Sequence, residues 1–362
     1  MGLFLRGTAA AVALLVTTEL VSTGSVAAQA AAPADQWSLV RDDRRDTYDA
    51  VTVTPGGAAW VAGTRRTGSG KTESLLLKGR TTFKRVTGPG FRVKRLTSAS
   101  DTRVWAFGTS RYARWDGKRW LVKPWRHGRI DQAYSIGANL WVIEDSTTFP
   151  SAGKTGWKAR STVRRLVGST WRKVPTPIVV KGIDAKWAVG SARGKAAMAR
   201  WDGKAWRTYA IPAVPSAHRG QISELTDVAV DGETGRMVAV GWAAWPCGGA
   251  SFCGETLLLT GYPNSFTYKV RTEAGFQPRA QAVPDHRGGA WVVYTKGGVG
   301  RFLHVRTDDS ESDYVESGVL PAPAGRKTFV RDLAVQLESR TVFAVGGAPS
   351  GRRDGLIWAY GR

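Results

Sequence analysis

The sequence predicts an all-β fold, a closed ring of seven four-stranded repeats, and three observations carry that prediction. One short apolar strand recurs seven times; each copy has similar strands and tight turns around it; and the last copy lacks a strand that the start of the chain supplies. Composition points the same way, with 16 Trp, 43 Gly, 10% aromatic residues and no sustained helical periodicity in 362 residues.

The recurring strand is an aromatic or aliphatic residue followed by small apolar residues and, in most copies, Gly. It reads AAWVAGT at Ala58–Thr64, RVWAFGT at Arg103–Thr109, NLWVIED at Asn139–Asp145 and AKWAVGS at Ala185–Ser191. Three further copies are RMVAVGW at Arg236–Trp242, GAWVVYT at Gly289–Thr295 and TVFAVGG at Thr341–Gly347. The key positions Trp60, Trp105, Trp141, Trp187, Val238, Trp291 and Phe343 stand roughly 36 to 53 residues apart, the period of β-propeller blades.

An alternating strand and a tight turn precede the copies, as in DAVTVTPGG, LTDVAVDGETG and RDLAVQLES, and a variable loop and a hairpin follow. The hairpin is clearest in YARWDGKRWLVKP and MARWDGKAWRTYAIP, where Asp116-Gly117 and Asp202-Gly203 supply the positive-φ residues of a two-residue turn. That turn would pair Trp115 with Lys118 and Ala113 with Trp120. Both Trp would then lie diagonally on one sheet face, against the neighbouring blade. Four strands per repeat make a propeller blade, and seven copies make a seven-bladed β-propeller.

The chain ends at GLIWAYGR, the third strand of its last repeat, whereas DQWSLVRD near the start resembles a fourth strand. Pairing Gln36–Val40 beside Leu356–Tyr360 would close the ring and hide two sheet edges.

Residues 1–30 are set apart from the fold. Arg6, the apolar run Ala9–Val16 and Ala28-Gln29-Ala30 read as the charged, apolar and cleavage regions of an export signal. The apolar run is far shorter than the roughly 20 residues that span a bilayer. Residues 31–362 would form one propeller domain, secreted as a monomer to the extracellular space or cell wall. In that setting Cys247 and Cys253, alone and close together, read as a disulfide that rigidifies one loop.

Across Ala34–Arg362 the pattern resembles seven-bladed propellers of exported bacterial proteins, with no subfamily assigned. Its Trp-Asp dipeptides open hairpin turns, unlike the closing Trp-Asp of WD repeats, and neither kelch glycine pairs nor a sialidase-type box recurs. The resemblance implies a fold and leaves function to the loops.

In a propeller the loops between second and third strands, and those between blades, gather on one face around the central channel. Here they carry Arg65, Arg66 and Lys71, then Lys154, Arg193 and Lys195, and Arg352 with Arg353; the inter-blade loops add Arg126 and Arg219 beside His127 and His218. Trp125, Trp157, Trp242 and Trp245 lie among them. With a formal net charge of +23, such a face would attract polyanions, although general solvation also uses surface cations. The expected ligand-binding set is Arg65, Arg66, Arg126, Lys154, Trp157, Arg193, Arg219, Arg352 and Arg353. Its expected partner is an anionic polysaccharide, a cell-wall polymer or an extracellular protein; export argues against nucleic acid.

The other class of function is a polysaccharide-cleaving enzyme using carboxylates at the channel mouth. Asp49, Asp227 and Asp332 align in a D-[AVL]-x-V pattern, with Asp131 nearby. One residue type repeated in equivalent positions points instead to satisfaction of backbone donors. No catalytic residue, cofactor or metal is assigned: His127, His218, His286 and His304 lack ligand spacing, and GTRRTGSGKT at Gly63–Thr72 links two strands with Arg65 where a phosphate-binding loop needs Gly.

Overall fold

Each sequence repeat becomes one antiparallel four-stranded sheet, with its strands in chain order from the ring axis outward. The structure is a computed structural model that describes residues 36–145, 160–215, 218–248, 252–271, 280–296, 299–306, 314–322, 326–336, 341–348 and 354–361. The segment read as an export signal lies outside these residues.

The chain enters with β1 (Trp37–Asp43). Blade 1 then comprises β2 (Asp46–Val53), β3 (Ala59–Arg66), β4 (Thr72–Gly79) and β5 (Phe83–Arg85), and blade 2 comprises β6 (Arg95–Ser100), β7 (Arg103–Phe107), β8 (Arg111–Trp115) and β9 (Trp120–Pro124). Blade 3 holds β10 (Ile130–Ile136), β11 (Asn139–Glu144), β12 (Thr162–Val167) and β13 (Thr170–Val174), and blade 4 holds β14 (Val179–Asp184), β15 (Trp187–Ala192), β16 (Lys195–Trp201) and β17 (Trp206–Tyr209). Blade 5 is β18 (Ile222–Val230), β19 (Met237–Pro246), β20 (Phe252–Tyr262) and β21 (Ser265–Arg271), and blade 6 is β22 (Gln281–Pro284), β23 (Ala290–Lys296), β24 (Val299–Val305) and β25 (Tyr314–Val319). Blade 7 is β26 (Phe329–Val335), β27 (Val342–Ala348), β28 (Asp354–Tyr360) and, as its outermost strand, β1. The protein is a seven-bladed β-propeller closed by its N-terminal strand. Trp37 pairs with Tyr360 and Leu39 with Trp358, as the missing fourth strand required.

The second strand of each blade is sandwiched between neighbouring blades, so it reads as an apolar run rather than an alternating one; all seven residues of β27 are buried. The motif glycine has a separate cause. A β-bulge on the inner strand falls next to it in blades 1, 4, 5 and 7, between Tyr48 and Ala50, Val180 and Gly182, Leu225 and Asp227, and Val330 and Asp332. The bulge drives an inner-strand carbonyl against the second strand. A Cβ on Gly63 would lie 1.8 Å from the Thr47 oxygen, and one on Gly346 would lie 1.9 Å from the Phe329 oxygen.

Among the described residues, seven clusters of buried side chains lie between the blades and form the distributed core of the ring. Trp60 of blade 1 meets Trp115 and Trp120 of blade 2 at 5.7 Å each, and Trp141 of blade 3 meets Trp201 and Trp206 of blade 4 at 5.1 and 5.4 Å. The sequence therefore places the right rings on the right face, but their register needs correction. Trp115 pairs directly with Trp120, and Trp201 with Trp206. Asp116 Oδ1 accepts the amides of Lys118 and Arg119, both at 2.9 Å, so the hairpin turns over four residues, not two.

Cys247 and Cys253 form a disulfide across the β19–β20 hairpin, with Cα atoms 5.5 Å apart. Its loop is short, so reduction should cost less than the roughly 3 kcal/mol expected for a 15-residue loop. Alkylation without reductant should leave the intact mass unchanged; two added alkyl groups would contradict the bond.

Candidate functional site

All inner strands start at the same end of the ring. The loops between second and third strands and the loops between blades therefore share that face, and the tight turns occupy the other. Of the expected ligand-binding residues, Arg66, Arg126, Arg193 and Arg219 stand exposed on the loop face. The turn at Arg193 and Gly194 is tied to blade 5, since the Ser223 amide donates to the Gly194 oxygen at 3.0 Å; Arg193 and Arg219 thus occupy one sector. Lys154, Trp157, Arg352 and Arg353 lie outside the described residues. Two of the tryptophans read as loop surfaces are core instead: Trp125 is 5% exposed and Trp242 fully buried. Trp245 is half-buried and stacks on His218 at 3.7 Å.

Arg65 is held by carboxylates. Its Nε lies 2.7 Å from Asp46 and its Nη2 2.9 Å from Asp43, and Arg41 of the closure strand reaches the same two acids at 3.7 and 3.2 Å. Burial pushes Asp43 upward, but the Arg45 amide and the Arg65 and Arg41 guanidiniums outweigh it and hold the carboxyl below its ordinary value. Arg326, in the loop that enters blade 7, likewise joins Asp42 and Asp354 on the two outer strands of that blade. With those acids engaged, Arg44, Arg45, Arg66, Lys71 and Lys327 remain exposed with no carboxylate partner among the described residues. Sequence reasoning missed Arg44 and Arg45. The signal was available, because the closure strand makes DDRRD an inter-blade loop.

The inner strands deliver charges of both signs to the channel mouth. Asp49 and Asp131 occupy bulge positions, as do Lys181 and Arg331. Asp49 binds Arg92 at 2.8 Å and also Arg331, and Asp131 meets Arg129 at 3.0 Å. Lys181 and Glu224 are both buried, with Nζ and Oε2 3.7 Å apart. Burial dominates both, lowering Lys181 and raising Glu224 to about 7 against the opposing pull of each partner.

Asp227 and Asp332 act within the ring. Asp227 accepts the Ala282 amide of blade 6 at 3.1 Å and its neighbour Val228 at 3.0 Å; Asp332 accepts the Val51 amide of blade 1 at 2.9 Å and Leu333 at 3.1 Å. Asp184, which sequence reasoning passed over, binds Val230 of blade 5 at 2.8 Å. Each carboxylate staples one inner strand to the next. Asp49 falls out of this alignment because it occupies the bulge itself, one position earlier, and it ion-pairs instead. All three residues are half-buried on the inner strands. Burial raises Asp227 to about 8 and Asp184 and Asp332 to about 6, against the amides that favour their charged forms.

No family profile matches the chain, and no curated protein sequence matches it. Its fold is similar to solved propellers. The WD40 domain of Neurospora crassa Pan2 is 11% identical, with 91% of this chain and 96% of that one covered at a TM-score of 0.53. An α-L-arabinanase of Penicillium chrysogenum, solved with arabinobiose, is 12% identical, with 87% and 93% covered at a TM-score of 0.42. At such identity the likeness is one of fold alone.

Proposed function

We propose that the chain is a secreted, non-catalytic propeller whose basic loop face holds an anionic extracellular polymer, with residues 1–30 acting as its export signal. The observation that carries this reading is the set of exposed cations Arg44, Arg45, Arg66 and Lys71 in adjoining loops, while Asp42, Asp43, Asp46 and Glu73 beside them in sequence are engaged by Arg41, Arg65, Arg85 and Arg326. A compensated surface would attract nothing at a distance; an uncompensated one presents several phosphate- or carboxylate-binding groups together. Lys154, Trp157, Arg352 and Arg353 are proposed to join this face through their loops. The carboxylate-enzyme alternative draws less support, because Asp227 and Asp332 each use both oxygens on backbone amides.

Retention on immobilised heparin and on a teichoic-acid matrix across a salt series tests the proposal. Reversing Arg44, Arg45 and Arg66 to Glu should weaken retention about tenfold or more at fixed salt and flatten its salt dependence. Reversing the outer-strand cations Lys84, Arg172 and Lys173 should change it by about twofold or less. Equal losses from the two sets would reduce the interaction to attraction by net charge and overturn the reading.

A further inference from the structure

Two seams between blades share one packing device, and a third carries it in altered form. The second-strand residues Trp60, Trp105 and Trp141 pair across to Lys78, Arg114 and Arg165 on the third strand. Each cation lies over its ring, at 4.8, 5.9 and 5.5 Å. The next blade then lays a hairpin against that ring. From blade 2 the hairpin brings Trp115 and Trp120 to Trp60, and from blade 4 it brings Trp201 and Trp206 to Trp141. In blade 3 the corresponding cross-strand pair is Leu166 and Trp171. One indole of the pair is replaced by a smaller aliphatic side chain. Trp171 lies against Phe107, Tyr112 and Trp125 at 6.2, 5.8 and 5.2 Å.

The volume that a second Trp would fill is open. A cleft of about 460 Å³ lies beside Trp105, between blades 2 and 3 and toward the turn face, with Leu166 and Ser169 in its wall. That size falls within the range of small-molecule sites. Three cations line it, Arg103, Arg114 and Lys123, and no acidic side chain does. Arg103 and Lys123 are exposed and make no ion pair among the described residues. Cations converging on a recess without a carboxylate repel one another, and an anion entering the recess relieves that repulsion. The remaining wall is mixed, apolar at Leu166 and hydroxylic at Ser169, which matches the two kinds of surface on a pyranose.

We propose that this cleft is a second binding site, separate from the loop face, for a sugar-sized anion: a hexose unit bearing a phosphate, sulfate or carboxylate group. Arg103 and Lys123 hold the anionic group, Arg114 presents its remaining donors above Trp105, and the ring sits on the apolar wall. The absence of the second Trp from the blade 3 hairpin creates the space.

Calorimetric titration of the full chain with glucose 6-phosphate, glucose 6-sulfate, glucuronate and glucose tests the site and distinguishes the anionic groups. At least one of the three anions should bind with a dissociation constant of about 1 mM or tighter, and glucose at least about tenfold more weakly. Leu166→Trp restores the pair found in blades 2 and 4 without changing charge, so it should weaken anion binding at least about tenfold with the melting temperature kept. Arg103→Ser with Lys123→Ser, on the surface, should weaken it similarly if Leu166→Trp does not fold. Retention on heparin should survive all three changes, since the loop face is untouched. The proposal is overturned if no anion binds, if glucose binds equally, or if folded Leu166→Trp or the double Ser variant binds like the parent.

Discussion

Deletion of Gln36–Asp43 is expected to unzip blade 7 and abolish the cooperative melting of the parent. The strand joins three blades. Trp37, 8% exposed, stacks on Phe302 of blade 6 at 4.0 Å and meets the edge of Trp291 at 5.8 Å. Ser38 donates to the Ala359 oxygen of β28 at 3.1 Å, and Arg41 donates to the Tyr48 hydroxyl of blade 1 at 2.8 Å. Trp37→Ala alone should cost about 3–5 kcal/mol, the range for truncating a buried aromatic. At roughly 2 °C per kcal/mol for a large domain, that lowers the melting temperature by about 6–10 °C. The full deletion should do more, because it also strips β28 of its ladder partner and leaves an open sheet edge. Thermal melts followed by circular dichroism, with light scattering for aggregation, measure both effects. A deletion variant melting within about 2 °C of the parent would show that the ring does not depend on its closure.

The repeat, the blade number and this closure were legible because each rests on short-range pattern: Trp60 and its six counterparts mark the second strands, and an unmatched strand at each end admits one pairing. The Cys247–Cys253 bond was legible for the same reason. What escaped depends on side chains far apart in sequence or on one-residue register shifts. The engagement of Arg65 required Asp43 and Asp46 to fold back beside it, 19 or more positions away. Asp49 looked equivalent to Asp227 and Asp332, yet the bulge before Ala50 moves it from the stapling position to the channel mouth. The cations over Trp60, Trp105, Trp141 and Trp187 were present in Lys78, Arg114, Arg165 and Arg200, but only strand pairing reveals them. The cleft could have been read from Leu166 in place of Trp115 and Trp201, once the hairpins were aligned on those cations.

Stability should fall as pH rises from about 4 to 8, and Asp227→Asn should remove the alkaline part of that fall. Asp227 carries a folded-state value of about 8 against an ordinary 3.8, first through burial and then through the charges of Asp184 and Asp332. A raised carboxyl binds its proton more tightly in the folded chain than in the unfolded one. Its stabilising contribution is therefore complete below pH 3.8 and declines as the pH climbs through the folded value. Asp184 and Asp332 act in the same direction but finish near pH 6, which leaves the interval from 6 to 8 to Asp227 and, up to about 7, to Glu224. Each pH unit across that interval is worth at most about 1.4 kcal/mol, reduced by the water that reaches the half-buried residue. Asn keeps an oxygen for the Ala282 amide and forfeits the bond to Val228, a loss of about 1 kcal/mol. At pH 5 the variant should accordingly melt at or slightly below the parent, and at pH 9 it should melt above it by about 1–3 kcal/mol of stability. Taking the difference between variant and parent at each pH cancels the titration of every group not coupled to Asp227, including the distant Glu224. Parallel melting curves for the two proteins between pH 6 and 8 would show that the carboxyl enters the ring already ionised, and the account of Asp227 as a protonated staple would have to be abandoned.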